Sequence, residues 1–152
     1  MLSIILICVA VLIILALGFY AGRLLFQLKI QNSRQAAMRK KRIFTITESI
    51  YVIAKAMEQQ QCDLSEGVIR IVNLLAALPL ASPPDFKVAY PNIHALFVDV
   101  SGFAMLDARK ELSKAERRKQ DVAREQIESE HESNVLSELP ALKRYCESLM
   151  EQ

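Results

Sequence analysis

Glu128 and His131 stand in a Glu-x-x-His step, with Glu125 and Glu132 close by. Residues three apart share a helix face, and a carboxylate with an imidazole at that spacing is half of the ligand set in carboxylate-bridged di-iron bundles. A complete site takes two such steps. The other histidine, His94, has Pro91 at i−3, so the second half is missing and the pattern reads as a solvated acidic helix face. Cys62 lies at a turn just before a helix start, where the positive end of the helix dipole can acidify a thiol. No histidine or second cysteine is near it in sequence, which favours a packing role. Cys8, Cys62 and Cys146 are an odd number without CxxC spacing, and neither histidine is close to a cysteine. That excludes a disulfide framework and leaves no zinc-ligand pattern. Asp63 to Gly67 holds no phosphate-binding glycine pattern, and no Ser-His-Asp set or metalloprotease helix is found. The expectation is a protein with no catalytic residue, no metal and no cofactor.

The basic residues offer contacts rather than catalysis. Arg39-Lys40-Lys41-Arg42 is a candidate anionic-lipid patch, each cation contributing about 1 kcal/mol near a charged bilayer. On a straight helix Lys40 lies roughly 25 Å beyond Arg23, past a Debye length of about 8 Å, so lipid contact requires a bend. A topology signal on a solvated helix is the favoured reading. Further along, Arg109, Lys110, Lys114, Arg117, Arg118, Lys119 and Arg124 are dense enough to track phosphates. Asp107, Glu111, Glu116 and Asp121 interrupt them and no aromatic residue is interleaved for base stacking, which favours a salt-bridged exposed helix. Arg117, Arg118 and Lys119, with the run at 39–42, are the candidate partner or lipid contacts.

These residues are positioned by segments that the chain separates clearly. Residues 1–22 carry no charged side chain, and 13 of them are Leu, Ile, Val or Phe. As a helix they span about 33 Å against a hydrocarbon core of about 30 Å. A cleaved signal peptide is the rival, with Ala16-Leu17-Gly18 as a cleavage-like site, but there is no basic region before the apolar run. Residues 23–42 carry seven basic and no acidic side chains, whereas residue 43 onward carries 12 basic and 17 acidic ones, a net of −5. The basic flank predicts an anchor whose C-terminal body is cytoplasmic. Three parts are expected: a transmembrane anchor at 1–26, a basic juxtamembrane segment at 27–42 and a cytoplasmic helical domain at 43–152.

The domain reads as all-α, with four or five helices including one long charged helix. Ile43, Ile46, Ile50, Ile53 and Met57 form a stripe at helical spacing. Asp63 with Glu66 resembles a capping box, and Ser65 competes as N-cap, for a second helix striped by Leu64, Val68, Ile71, Val72, Leu75 and Leu78. Pro79, Pro83, Pro84 and Pro91 bar a helix through 79–91. Ile93, Leu96, Phe97 and Val100 form a short helix closed by Gly102. A charged helix from Asp107 to Glu138 follows, with Arg117–Asp121 and Arg124–Glu128 pairs. Pro140 breaks it, and Leu142, Tyr145, Cys146 and Leu149 make a last short helix. No β-alternation is visible.

Glu48-Ser49-Ile50, Ile53-Ala54-Lys55-Ala56-Met57, Gln60-Gln61-Cys62-Asp63-Leu64-Ser65-Glu66-Gly67, Tyr90-Pro91 and His94-Ala95-Leu96 together resemble a bacterial membrane-anchored family, domain of unknown function 2489. The resemblance covers essentially the whole chain. It implies a bacterial inner-membrane protein and brings no activity, substrate or catalytic residue to any position. The functional expectation is a non-catalytic adaptor or scaffold, held by the bilayer through residues 1–26 and presenting its cytoplasmic domain to a protein partner. The alternative is a membrane-tethered nucleic-acid binder using the basic segments. A thin apolar edge on the charged helix is also compatible with self-association.

Overall fold

A computed structural model describes residues 2–103 and 111–151, with side chains from residue 11 onward. Among the described residues it holds five helices and no strand: α1 (Leu2–Glu58), α2 (Leu64–Ala76), α3 (Phe86–Ala89), α4 (Pro91–Val100) and α5 (Lys114–Met150). The all-α expectation holds. Two compact units are present, Met1–Lys41 and Arg42–Gln152.

The first unit is helical, and near the N-terminus α1 is long and apolar enough to cross a membrane. Its large apolar side chains are uncovered: Phe19 is 76% and Leu25 67% exposed. Val11 to Leu15 are five consecutive exposed apolar residues, and five residues sweep more than a full helical turn. The apolar surface therefore surrounds the helix instead of forming one stripe.

The second unit closes around a single core. Ile50, Ala54 and Met57 enter it from the end of α1, Val68, Ile71 and Leu75 from α2, Ile93, Leu96 and Val100 from α4, and Val135, Leu139, Leu142 and Cys146 from α5. Every set recurs at spacings of three and four, which places it on one helix face. The short α4 packs against both α2 and α5.

Several local expectations are corrected. Pro140 lies inside α5, which continues to Met150, so the separate last helix does not exist. A proline in a helix interior costs about 3 kcal/mol. Leu139 and Leu142 on either side are fully buried, and at about 1.5–3 kcal/mol each their burial outweighs that cost. The proline stretch admits one four-residue helix, α3, because Asp85 Oδ1 accepts from the Lys87 N–H at 3.0 Å. Leu78 is buried in the core but lies beyond the end of α2. The charged helix begins at Lys114, where Ser113 and Glu116 form a capping box. Its expected start, Asp107 with Ala108, Arg109 and Lys110, lies outside the described residues. At α2 the expected box is absent: the Asp63 side chain makes no cap bond, and Glu66 pairs with Arg70. Ser65 is no N-cap either, being the second helical residue and 1% exposed.

α1 ends without glycine. The Gln61 N–H donates to Ala56 O at 2.9 Å and the Gln60 N–H to Met57 O at 3.0 Å, closing a Schellman-type end with Gln60 at φ 54°. A side chain in this left-handed region costs about 1–2 kcal/mol. Gln60→Gly relieves that strain and gives back part of it as unfolded-chain entropy. The expected result is a gain of about 0.5–1 kcal/mol in denaturant unfolding; a loss of stability contradicts the strain.

Candidate functional site

The Glu128–His131 step does not converge on one point. Glu128 Oε1 accepts from the Ser65 N–H at 3.3 Å, at the first turn of α2, whereas His131 Nε2 lies 3.0 Å from Asp99 Oδ2 at the end of α4. Glu128 is thus a tertiary helix cap, not a member of a solvated acidic face. Among the described residues, no group of three or more His, Cys, Asp or Glu side chains is arranged to hold a metal ion. Ten residues on, Glu138 does the same for α4, taking the Asn92 N–H at 2.9 Å, the Asn92 Nδ2 at 2.7 Å and the Ile93 N–H at 3.0 Å. Helix N-termini are sites for anions, and α5 supplies one carboxylate to each.

Partial burial pushes the Glu128 carboxyl up, and Asp63 and Glu125 add to this against the Ser65 hydrogen bond and Arg124. The folded protein therefore holds that proton to higher pH than the unfolded chain, and stability falls as pH climbs past the ordinary 4.5. Glu128→Gln keeps the acceptor for Ser65 and removes the charge. The variant should be more stable than the wild type at pH 7, with the difference vanishing below the ordinary carboxyl range; equal unfolding midpoints at pH 7 would remove this account.

Cys62 is half-buried, and burial, Glu66 and Asp63 push its thiol above the ordinary 9.0, opposed only by Arg70. The environment works against the acidified thiol that a helix start can create, because this one is partly buried and flanked by acids. Cys146 is buried in the core and pushed up to about 11. Peptide-resolved alkylation should show Cys62 inflecting above pH 9.0, whereas rapid labelling at pH 7 contradicts it.

The candidate contacts fall on two helices. Arg39, Lys40, Lys41 and Arg42 are exposed on α1, and residues 23–41 are helical without a break. Arg117, Arg118 and Lys119 are exposed on the first turns of α5, where the Arg117 Nε donates to Leu112 O at 3.0 Å. Arg124 bonds Asp121 at 2.9 Å, three residues back. That engages one of the cations a phosphate-tracking surface would use.

Sequence reasoning missed a concave apolar site. The end of α2, the proline stretch, α3 and the start of α4 enclose a groove of about 290 Å³. Val72, Leu75, Leu78, Pro83, Phe86 and Ile93 line it, with Asp85, Lys87, Tyr90 and His94 among them. The prolines wall it with rigid backbone that lacks N–H donors. Phe86 is held edge-on to Tyr145 of α5 at 5.9 Å, and His94 stacks on Phe97 at 5.7 Å. The available signal was the proline cluster beside Phe86 and Tyr90, which reads locally only as a turn.

These features define an all-α protein with one helix apolar enough to cross a membrane and a small helical unit carrying an apolar groove. Residues 14–142 match the family described as Protein of unknown function (DUF2489), and the chain belongs to that family. An uncharacterized protein of Haemophilus influenzae is 37% identical over 141 residues, covering 93% of each chain. No solved structure matches the chain.

Proposed function

We propose that this is a single-pass inner-membrane protein that acts as a non-catalytic adaptor, its N-terminal helix spanning the bilayer and its C-terminal unit facing a protein partner in the cytoplasm. One observation carries the tether: the apolar side chains from Val11 to Leu28 are exposed all around α1. Side chains so placed in water expose a continuous apolar surface, and a helix apolar on every side belongs in a hydrocarbon environment. The seven basic and no acidic residues at 23–42 support a cytoplasmic C-terminus by the positive-inside rule.

The partner surface assigned to the adaptor is the start of α5. Arg117, Arg118 and Lys119 are three consecutive exposed cations in its first turns. Such a cluster is complementary to an acidic partner surface. Carbonate-washed membranes should retain the full chain, and a C-terminal fluorescent fusion should glow where a phosphatase fusion stays inactive. Affinity purification in mild detergent should recover a stoichiometric protein that is lost with Arg117→Glu, Arg118→Glu and Lys119→Glu combined. Release of the chain by carbonate overturns the tether; recovery unchanged by the charge reversal overturns the adaptor surface.

A further inference from the structure

We infer that the groove between α2, the proline stretch and α4 binds a medium-chain amphiphile bearing one carboxylate, with the chain against Val72, Leu75 and Phe86 and the carboxylate toward Lys87, Tyr90 and His94. The size follows from the cavity. A volume of about 290 Å³ is roughly twice the ~150 Å³ that encloses a benzene ring, room for about a dozen non-hydrogen atoms. That is the bulk of decanoate.

The polarity of the head follows from the hydrogen-bonding groups. Lys87, Tyr90 and His94 follow one another at i, i+3 and i+7 through α3 and α4, and all line the groove. Among the described residues none of these three side chains makes a hydrogen bond or an ion pair, although His94 stacks on Phe97. Tyr90 is 7% exposed, and its hydroxyl, free of any partner among the described residues, can donate to a ligand without first breaking a bond within the protein. The one acidic lining residue, Asp85, already accepts from the Lys87 N–H as the cap of α3. The groove thus offers three donor-capable side chains against the single carboxylate of Asp85, whose charge Lys87 balances, so a ligand carboxylate is held by the surplus of donors rather than by net positive charge. Apolar pockets with a few convergent polar groups are the usual form of small-molecule sites.

The site is independent of the tether and of the α5 surface, and its test separates them. The full chain in phosphatidylcholine nanodiscs is photolabelled with a diazirine derivative of decanoate, and the label is mapped by mass spectrometry against empty nanodiscs and competitors. Label should fall on α2 to α4 and be displaced by decanoate, with decanol and decyltrimethylammonium weaker by about tenfold or more. Lys87→Glu should reduce it to a similar extent. Ala76→Trp, which fills the groove from an exposed rim position, should abolish it while helix content stays unchanged. Label confined to α1, equal competition by decanol, or labelling undiminished in Ala76→Trp each overturns the proposal. A groove that takes no decanoate but crosslinks a second polypeptide from a photoreactive residue at position 76 replaces the ligand with a protein anchor.

Discussion

Glu138→Ala is expected to destabilise the helical unit by about 3 kcal/mol and to lower its thermal midpoint by about 10 °C. α4 has no means of capping itself. Tyr90, at its N-cap, forms no side-chain cap bond, and Pro91 at the first helical position carries no N–H. The N–H groups of Asn92 and Ile93 therefore depend on Glu138, which bonds both and the Asn92 side-chain amide as well. Hydrogen bonds to a charged group contribute about 1.5–3 kcal/mol, and the donors left behind in a partly buried place carry their own desolvation cost. α4 also holds three core residues, Ile93, Leu96 and Val100, so fraying its first turn loosens the packing of α2 and α5 upon it. Glu138→Gln retains one acceptor oxygen but turns an amide N–H2 toward a donor, and should fall between wild type and alanine. This places the two α5 caps in opposition, since removing the charge stabilises at Glu128 and destabilises at Glu138. Thermal unfolding of both glutamine variants in mild detergent checks the contrast, and two shifts of the same sign would refute it.

The same contrast shows where sequence stops being readable. The stripes were legible because burial repeats every three or four residues: Ile50 and Met57, Val68 and Ile71, Ile93 and Leu96, Leu142 and Cys146 were all expected on apolar faces and all lie in the core. The caps were not legible. Glu128 and Glu138 look like any acid on a charged helix, and their partners lie 63 and 45 to 46 residues away. A clue existed in the Tyr90-Pro91 start, which marks a helix N-terminus but supplies no Ser, Thr, Asp or Asn to cap it. Such an uncapped start requires a donor-satisfying group from elsewhere. Pro140 misled for the converse reason, because a local cost was weighed without the tertiary burial of Leu139 and Leu142. The groove was unreadable since its walls come from α2, the proline stretch and α4 at once.

Gly67→Val is expected to cost about 3 kcal/mol, the other large effect in the molecule. Gly67 sits buried in the first turns of α2, against the end of α1. A Cβ built there would meet Met57 Cγ at 2.6 Å, well inside van der Waals contact, and Met57 Cε at 3.3 Å. Met57 is itself 2% exposed, and its flexible end can yield only by repacking toward the pocket of about 280 Å³ that it lines with Gln60, Cys62 and Leu64, giving up core contacts as it does so. Gly67→Ala meets the same clash with one carbon and recovers about 1 kcal/mol of helix propensity, so it should be milder. The decisive comparison is the double variant Met57→Ala with Gly67→Val. Shortening Met57 alone leaves a cavity costing about 2–5 kcal/mol, but it also removes the atoms that the new side chain strikes. If close approach is the reason for glycine, the two losses are strongly non-additive and the double variant is more stable than their sum predicts. Additive losses would show that Gly67 serves α2 itself, and that the junction between α1 and α2 tolerates a wider spacing than the packing of Met57 implies.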